Sequence, residues 1–96
     1  MTYELRFMPE ALTEWHDLDQ SIQGPIKNKL EKVLENPIRP AARLFGMPDC
    51  YEIKLRGSGY RLVNHVDQEE VVILVLSVGK RVRNRAYKTA KKRLVE

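Results

Sequence analysis

Eight residues in a row, Val71-Val72-Ile73-Leu74-Val75-Leu76-Ser77-Val78, carry one hydroxyl as their only polar side chain. Strand side chains alternate between two faces, so a strand this uniformly apolar has to be covered on both of them. A chain of 96 residues holds one modest core. The expectation is therefore a single domain over residues 1–96, built around this central strand.

The remaining segments supply its neighbours. Tyr3, Leu5 and Phe7 alternate with Thr2, Glu4 and Arg6, a first strand, and Pro9 then opens a short helix. In that helix Ala11, Leu12, Trp15 and Leu18 lie at helical spacing and should pack on the sheet, while Glu10, Glu14 and Asp17 face water. A second helix starts around Ser21 and ends at Asn36-Pro37, with Ile22, Ile26, Leu30, Val33 and Leu34 as its apolar stripe. Its lysines Lys27, Lys29 and Lys32 read as solvated partners of Glu31 and Glu35. Residues 37–49, with Pro37, Pro40, Gly46 and Pro48, connect onward and leave room for a short edge strand at Ala41–Phe45. The fold expected is α+β, in the order β-α-α-(β)-β-β-β-α, with a helical hairpin on a mostly antiparallel sheet of about four strands.

Charge enters that frame at a defined place. In Cys50-Tyr51-Glu52-Ile53-Lys54-Leu55-Arg56 the apolar residues Tyr51, Ile53 and Leu55 point one way and Glu52, Lys54 and Arg56 the other. After Gly57-Ser58-Gly59, Tyr60, Leu62 and Val66 share a face, with Arg61, Val63 and His65 opposite. Setting Arg61 on the side of Lys54 requires an even number of loop residues, either two at Ser58-Gly59 or four. The result is a polar platform of Glu52, Lys54, Arg56 and Arg61.

The C-terminal segment adds to it. Residues 80–96 hold eight of the seventeen Lys and Arg but one of the thirteen acids, leaving nine cations against twelve acids before them. Charge segregated in this way points to a polyanion such as RNA or DNA rather than to solubility alone. The final helix, from about Lys80, repeats Val82, Ala86, Ala90 and Leu94 as a thin apolar line, so light packing and a free basic surface are expected.

Other chemistries are poorly served. Cys50 is the single cysteine and reads as a small buried hydrophobe. His16 falls on the exposed side of the first helix and His65 far along the platform strand, so the acid–base pair of a free-standing ribonuclease is missing. Asp67, Glu69 and Glu70 gather at a turn remote from the basic residues, a poor basis for a metal-dependent nuclease. No segment is long and apolar enough for a bilayer, and Met1-Thr2-Tyr3-Glu4-Leu5-Arg6 is charged where a secretion signal would be apolar, so a cytoplasmic location is expected.

The order Gly46-Met47-Pro48-Asp49-Cys50-Tyr51-x-Ile53-Lys54-Leu55-Arg56-x-Ser58-Gly59-Tyr60-Arg61-Leu62-Val63, followed by Ser77-Val78-Gly79-Lys80-Arg81 and Tyr87, resembles the RelE family of toxins from bacterial toxin–antitoxin modules. Ala11-Leu12, Glu14-Trp15, Leu30 and Val33-Leu34-Glu35 also stand where that family places them. The resemblance implies a RelE-like, microbial-ribonuclease-like fold and a ribosome-dependent endoribonuclease that cuts mRNA in the ribosomal A site. It implies no metal or other cofactor, because the ribose 2′-hydroxyl attacks the adjacent phosphate and leaves a 2′,3′-cyclic phosphate. By matching positions, Lys54 helps remove the hydroxyl proton, Arg61 stabilises the phosphorane, Arg81 assists the leaving oxygen and Tyr87 stacks on a base. Arg56, Lys80 and Arg83 would hold RNA. A cognate RelB-like antitoxin is the implied protein partner, with DNA reached only through that complex, and no membrane.

Two positions depart from the family pattern. Glu52 stands where a second lysine is usual and puts a carboxylate beside Lys54, where it can act as general base or only hold Lys54 by charge. Phe45 stands where arginine is frequent, which removes one nucleic-acid contact. A module that grips RNA and blocks translation reversibly, without cutting, is the alternative that these residues alone leave open. A DNA-binding regulator is less well supported, because no helix-turn-helix pattern is present.

Overall fold

The computed structural model describes residues 2–55, 57–80 and 85–95, with side chains at all of these except 85–88 and 95. The elements run β1 (Glu4–Phe7), α1 (Pro9–His16), α2 (Gln20–Glu35), β2 (Cys50–Leu55), β3 (Tyr60–Asp67), β4 (Val72–Lys80) and α3 (Arg85–Val95). One mixed sheet has the order β1-β4-β3-β2, with β1 parallel to β4 and the other two pairs antiparallel. The apolar run forms β4, between β1 and β3, and it is covered on both faces as expected. The edge strand allowed for at Ala41–Phe45 is absent: Pro40–Ala42 forms a 3-10 turn, and one bridge joins Arg43 to Tyr51. Proline cannot donate to a ladder, and Gly46 at φ 77° turns the chain away.

Helices α1 and α2 cover one sheet face. Ala11, Ile26, Leu30 and Val33 are buried there against Tyr51, Ile53, Leu62, Val66, Ile73, Val75 and Val78. Trp15 packs on the edge of this core with its ring centroid 5.9 Å from that of Phe7. Pro25 lies inside α2, where the burial of the Ile26, Leu30 and Val33 side chains, each worth about 1.5–3 kcal/mol, outweighs a lost backbone bond.

A β-bulge gives the opposite face its character. Val63 pairs with Ser77 but Asn64 pairs with Val75, which leaves Leu76 without a partner on β3. The extra residue resets the alternation of β4, so Leu76 points away from the helical hairpin and Val78 returns to it. Leu76 joins Cys50, Val63, Met47 and Ala90 in a second buried cluster beneath α3.

Two expectations about α1 and α3 are corrected here. Glu14 does not simply face water, because its Oε1 accepts the Val78 backbone N–H at 3.2 Å and Arg93 Nη1 at 2.8 Å. Nor is α3 lightly held over its described length: Ala90 is fully buried, and Arg93 Nη1 also donates to the Leu76 carbonyl at 2.7 Å. Val82 lies outside the described residues, and Ala86 is described by its backbone alone. The sequence suggested weak docking because the apolar line is thin, yet an ion pair supplies the anchor.

Candidate active site

The site occupies the sheet face that α3 shares, beyond the end of the Cys50–Val63–Leu76 cluster. Cys50, Glu52 and Lys54 alternate to the same side of β2, and Arg61 pairs with Lys54 across the hairpin. Leu55 pairs with Tyr60, so the connection has four residues, the longer of the two lengths parity permits. Gly59 at φ 76° donates its N–H to the Leu55 carbonyl at 3.0 Å and closes the turn.

Glu52 sits between the two cations. Its Oε1 lies 3.0 Å from Lys54 Nζ and its Oε2 3.8 Å from Arg61 Nη1. The Glu52 and Arg61 side chains are 10% and 12% exposed, against 46% for Lys54. The expected polar platform therefore exists, but two of its three described charges are sunk into the sheet and one reaches solvent. At 3.8 Å the Arg61 contact is an ion pair without a hydrogen bond. Arg61 Nε and Nη1 are buried with no hydrogen-bond partner among the described residues. A guanidinium fixed in this way over a low-dielectric floor can attract a phosphate brought to the platform.

The other sequence-derived residues are placed unevenly. Lys80 ends β4 opposite Tyr60, with its Nζ 5.6 Å from the ring centroid. Tyr87 is in α3 and is described by its backbone alone; Arg56, Arg81 and Arg83 lie outside the described residues. His16 is exposed, and His65 pairs with Cys50 at the far end of the hairpin from Lys54. Phe45 is fully exposed.

Two residues at the site escaped the sequence reading. The carbonyls of Glu52 and Lys54 are held from outside β2 by Arg39 Nη2 at 3.4 Å and Lys29 Nζ at 2.7 Å. Since β2 is the sheet's edge, these cations take the place of a further strand, and Lys29 is thus a contact of the site rather than only a solvated helix charge. Arg39 also lies 6.0 Å from the Tyr51 ring centroid. Burial pulls its guanidinium below the usual value, against the opposing effects of Tyr51 and Glu52. A lone arginine between Pro37 and Pro40 was the only sequence signal for it. Cys50 is fully buried, with its thiol raised to about 11 by loss of solvent and by Asp49, so it is no nucleophile.

A helical hairpin on one face of a four-stranded mixed sheet, with a carboxylate and two cations on the other, matches a known class. The chain belongs to the ParE toxin family of type II toxin–antitoxin systems, parDE, which it matches over residues 5–85. Within that class it stands with the RelE toxins. It is 52% identical over 95 residues to mRNA interferase toxin RelE of Escherichia coli strain K12, covering 99% of this chain and 100% of the relative. The solved structure of the free R81A/R83A mutant of E. coli toxin RelE superposes with a TM-score of 0.91 at 50% identity, over 98% of this chain and 99% of that one. The intact E. coli RelBE toxin–antitoxin complex contains a chain that matches with a TM-score of 0.82 at 53% identity, over 84% and 99%. This chain also carries Arg81 and Arg83.

Proposed function

We propose that this toxin is a ribosome-dependent endoribonuclease that cuts mRNA in the ribosomal A site in the cytoplasm, and so stops translation. The observation that carries the reading is the Glu52 carboxylate set between Lys54 and Arg61 on an open face of a RelE-type fold. One platform thus combines a proton acceptor with two phosphate-binding cations.

In the proposed reaction the ribose 2′-hydroxyl attacks the adjacent phosphorus. Glu52 takes the hydroxyl proton, a task for which a carboxylate is better suited than an ammonium that must first lose its own. Arg61 and Lys54 stabilise the charge that grows on the phosphorane oxygens. The bond to the 5′-oxygen breaks, leaving a 2′,3′-cyclic phosphate and a 5′-hydroxyl. Arg81 stabilises the departing oxygen electrostatically, since a guanidinium holds its proton far above neutral pH and is a poor proton donor, and water can supply the proton. Tyr87 stacks on a base, and Arg56, Lys80 and Arg83 hold neighbouring phosphates. The platform lies on a face rather than in an enclosed cleft, so the ribosome has to hold the strand in attack geometry. A RelB-like antitoxin is the proposed partner, by analogy with the RelBE complex, and DNA is reached only through it.

The test is primer extension on a defined message incubated with the purified protein, with and without programmed ribosomes. Cut ends at the A-site codon, seen only with ribosomes, are expected. Stalled ribosomes on intact message would show a reversible block and overturn catalysis. Glu52→Gln is expected to slow single-turnover cleavage by about 100-fold or more; an unchanged rate and pH profile removes Glu52 from proton transfer.

A further inference from the structure

We infer that the cavity along the outer edge of β2 is a second nucleotide site, which holds the base and phosphate of the RNA residue flanking the cut. The inference rests on the ribonuclease reading above and adds a subsite to it. The cavity, of about 560 Å³, lies between α2 and the 3-10 turn and shares Glu52 and Lys54 with the platform. Its volume falls within the range of ordinary ligand pockets, about 300–1,000 Å³.

Its chemistry has two parts. Val33, Ala42 and Ile53 supply an apolar floor, while Lys29, Lys32 and Arg39 supply positive charge. The acid in its lining, Glu52, already faces Lys54 and Arg61, so the cavity keeps a net attraction for an anion. Lys29 spends one of its three N–H donors on the Lys54 carbonyl, leaving two. The Lys32 side chain makes no hydrogen bond or ion pair among the described residues. Arg39 Nε is buried with no hydrogen-bond partner among the described residues, and the face of a planar guanidinium is a surface on which a base stacks.

Separate cations around an apolar floor suit a polymer that alternates phosphate with a flat base. Continuity decides which polymer it is. Lys54 presents its side chain to the platform and its carbonyl to Lys29, so a strand leaving the scissile phosphate meets this edge next. The occupant is the message itself, because this edge continues from the platform that receives the scissile phosphate.

Two measurements test this. The first is single-turnover cleavage on programmed ribosomes across protein concentrations and salt, comparing the parent with Lys32→Gln and Lys32→Glu. Lys32 is exposed and outside the reacting triad, so the maximal rate should stay within about twofold. The half-saturating concentration should rise about fivefold or more for Lys32→Glu, and the log–log salt dependence should flatten by about 0.7 for one lost contact to a single strand. The second is photocrosslinking from 4-thiouridine on either side of a 2′-deoxy residue at the cut position. That message cannot be cleaved by 2′-hydroxyl attack, so it reads the edge site even if the parent protein proves not to cut. Crosslinks from a flanking nucleotide to residues 29–42 are expected. Crosslinks from both flanking nucleotides that avoid residues 29–42, or an unchanged half-saturation and salt dependence for Lys32→Glu, would each overturn the inference.

Discussion

Arg93 and Glu14, 79 positions apart, complete the central strand where β1 runs out. β1 pairs with β4 only as far as Val75, and the next backbone groups on that edge are taken by side chains. Glu14 accepts the Val78 N–H, Arg93 donates to the Leu76 carbonyl, and the two ends meet at 2.8 and 3.2 Å. A two-pronged ion pair thus does the work of two missing strand residues, and it fastens α3 to α1.

Removing one end should expose the other. Arg93→Ala leaves Glu14 without its cation and the Leu76 carbonyl without this donor, and hydrogen bonds to charged groups contribute about 1.5–3 kcal/mol. Both members are partly shielded from water, so the pair is worth more than a surface one. Urea unfolding of Arg93→Ala, Glu14→Ala and the double variant should show single losses of about 2 kcal/mol and a coupling above about 1 kcal/mol. Additive losses would mean the two residues act separately.

That pair also shows what the sequence could and could not reveal. The apolar run of β4, the alternation of β2 and the helical stripes are local patterns, and each led to the right element. Parity, once Lys54 and Arg61 were placed on one face, narrowed the hairpin to two loop lengths, of which the structure takes the longer. What escaped were contacts made only after elements meet in space. Glu14 looked solvated because nothing near it in sequence says that β4 runs on past the end of β1 and that Arg93 comes to meet it there. Lys29 and Arg39 act on β2 from segments whose placement beside it depends on the whole fold. The bulge at Leu76 left no mark, since one more apolar residue in an apolar run changes no pattern.

Asn64 is fully buried, and neither its Oδ1 nor its Nδ2 finds a hydrogen-bond partner among the described residues. A buried polar group left this way costs about 1–3 kcal/mol. Valine is closer to the side chain's volume than leucine and favours a strand. Asn64→Val should therefore raise the midpoint of thermal unfolding by several degrees, as about 1 kcal/mol shifts a domain of this size by about 4–8 °C. A lower midpoint would show that the amide is satisfied in solution.

Cys50 makes stability depend on alkaline pH. Its thiol titrates near 9.0 in an unfolded chain and at about 11 in the folded one. Between those values the unfolded state has lost the proton and the folded state keeps it, so unfolding gains ground. The contribution is fully present below about pH 9 and lost as pH rises through about 11, a loss on the order of 2–3 kcal/mol. Stability measured from pH 8 to 11 should fall more steeply for the parent than for Cys50→Ala, in which other titrations cancel from the difference. Parallel curves would place the thiol in water.

Arg61 tests whether the platform is built for binding at the expense of the fold. Its guanidinium is nearly buried, reaches Glu52 only at 3.8 Å, and keeps two donors without a partner among the described residues. Replacing a poorly compensated buried charge by an apolar side chain of similar length is often neutral or stabilising, by about 1–4 kcal/mol. Lys54 remains to face Glu52 in such a variant. Arg61→Met should thus unfold at the same urea concentration as the parent or a higher one, while single-turnover cleavage falls by about 100-fold or more. A residue kept for packing would give the reverse, lower stability with cleavage preserved. That result would separate Arg61 from the chemistry and leave Lys54 as the one described cation of the platform that acts on the phosphate.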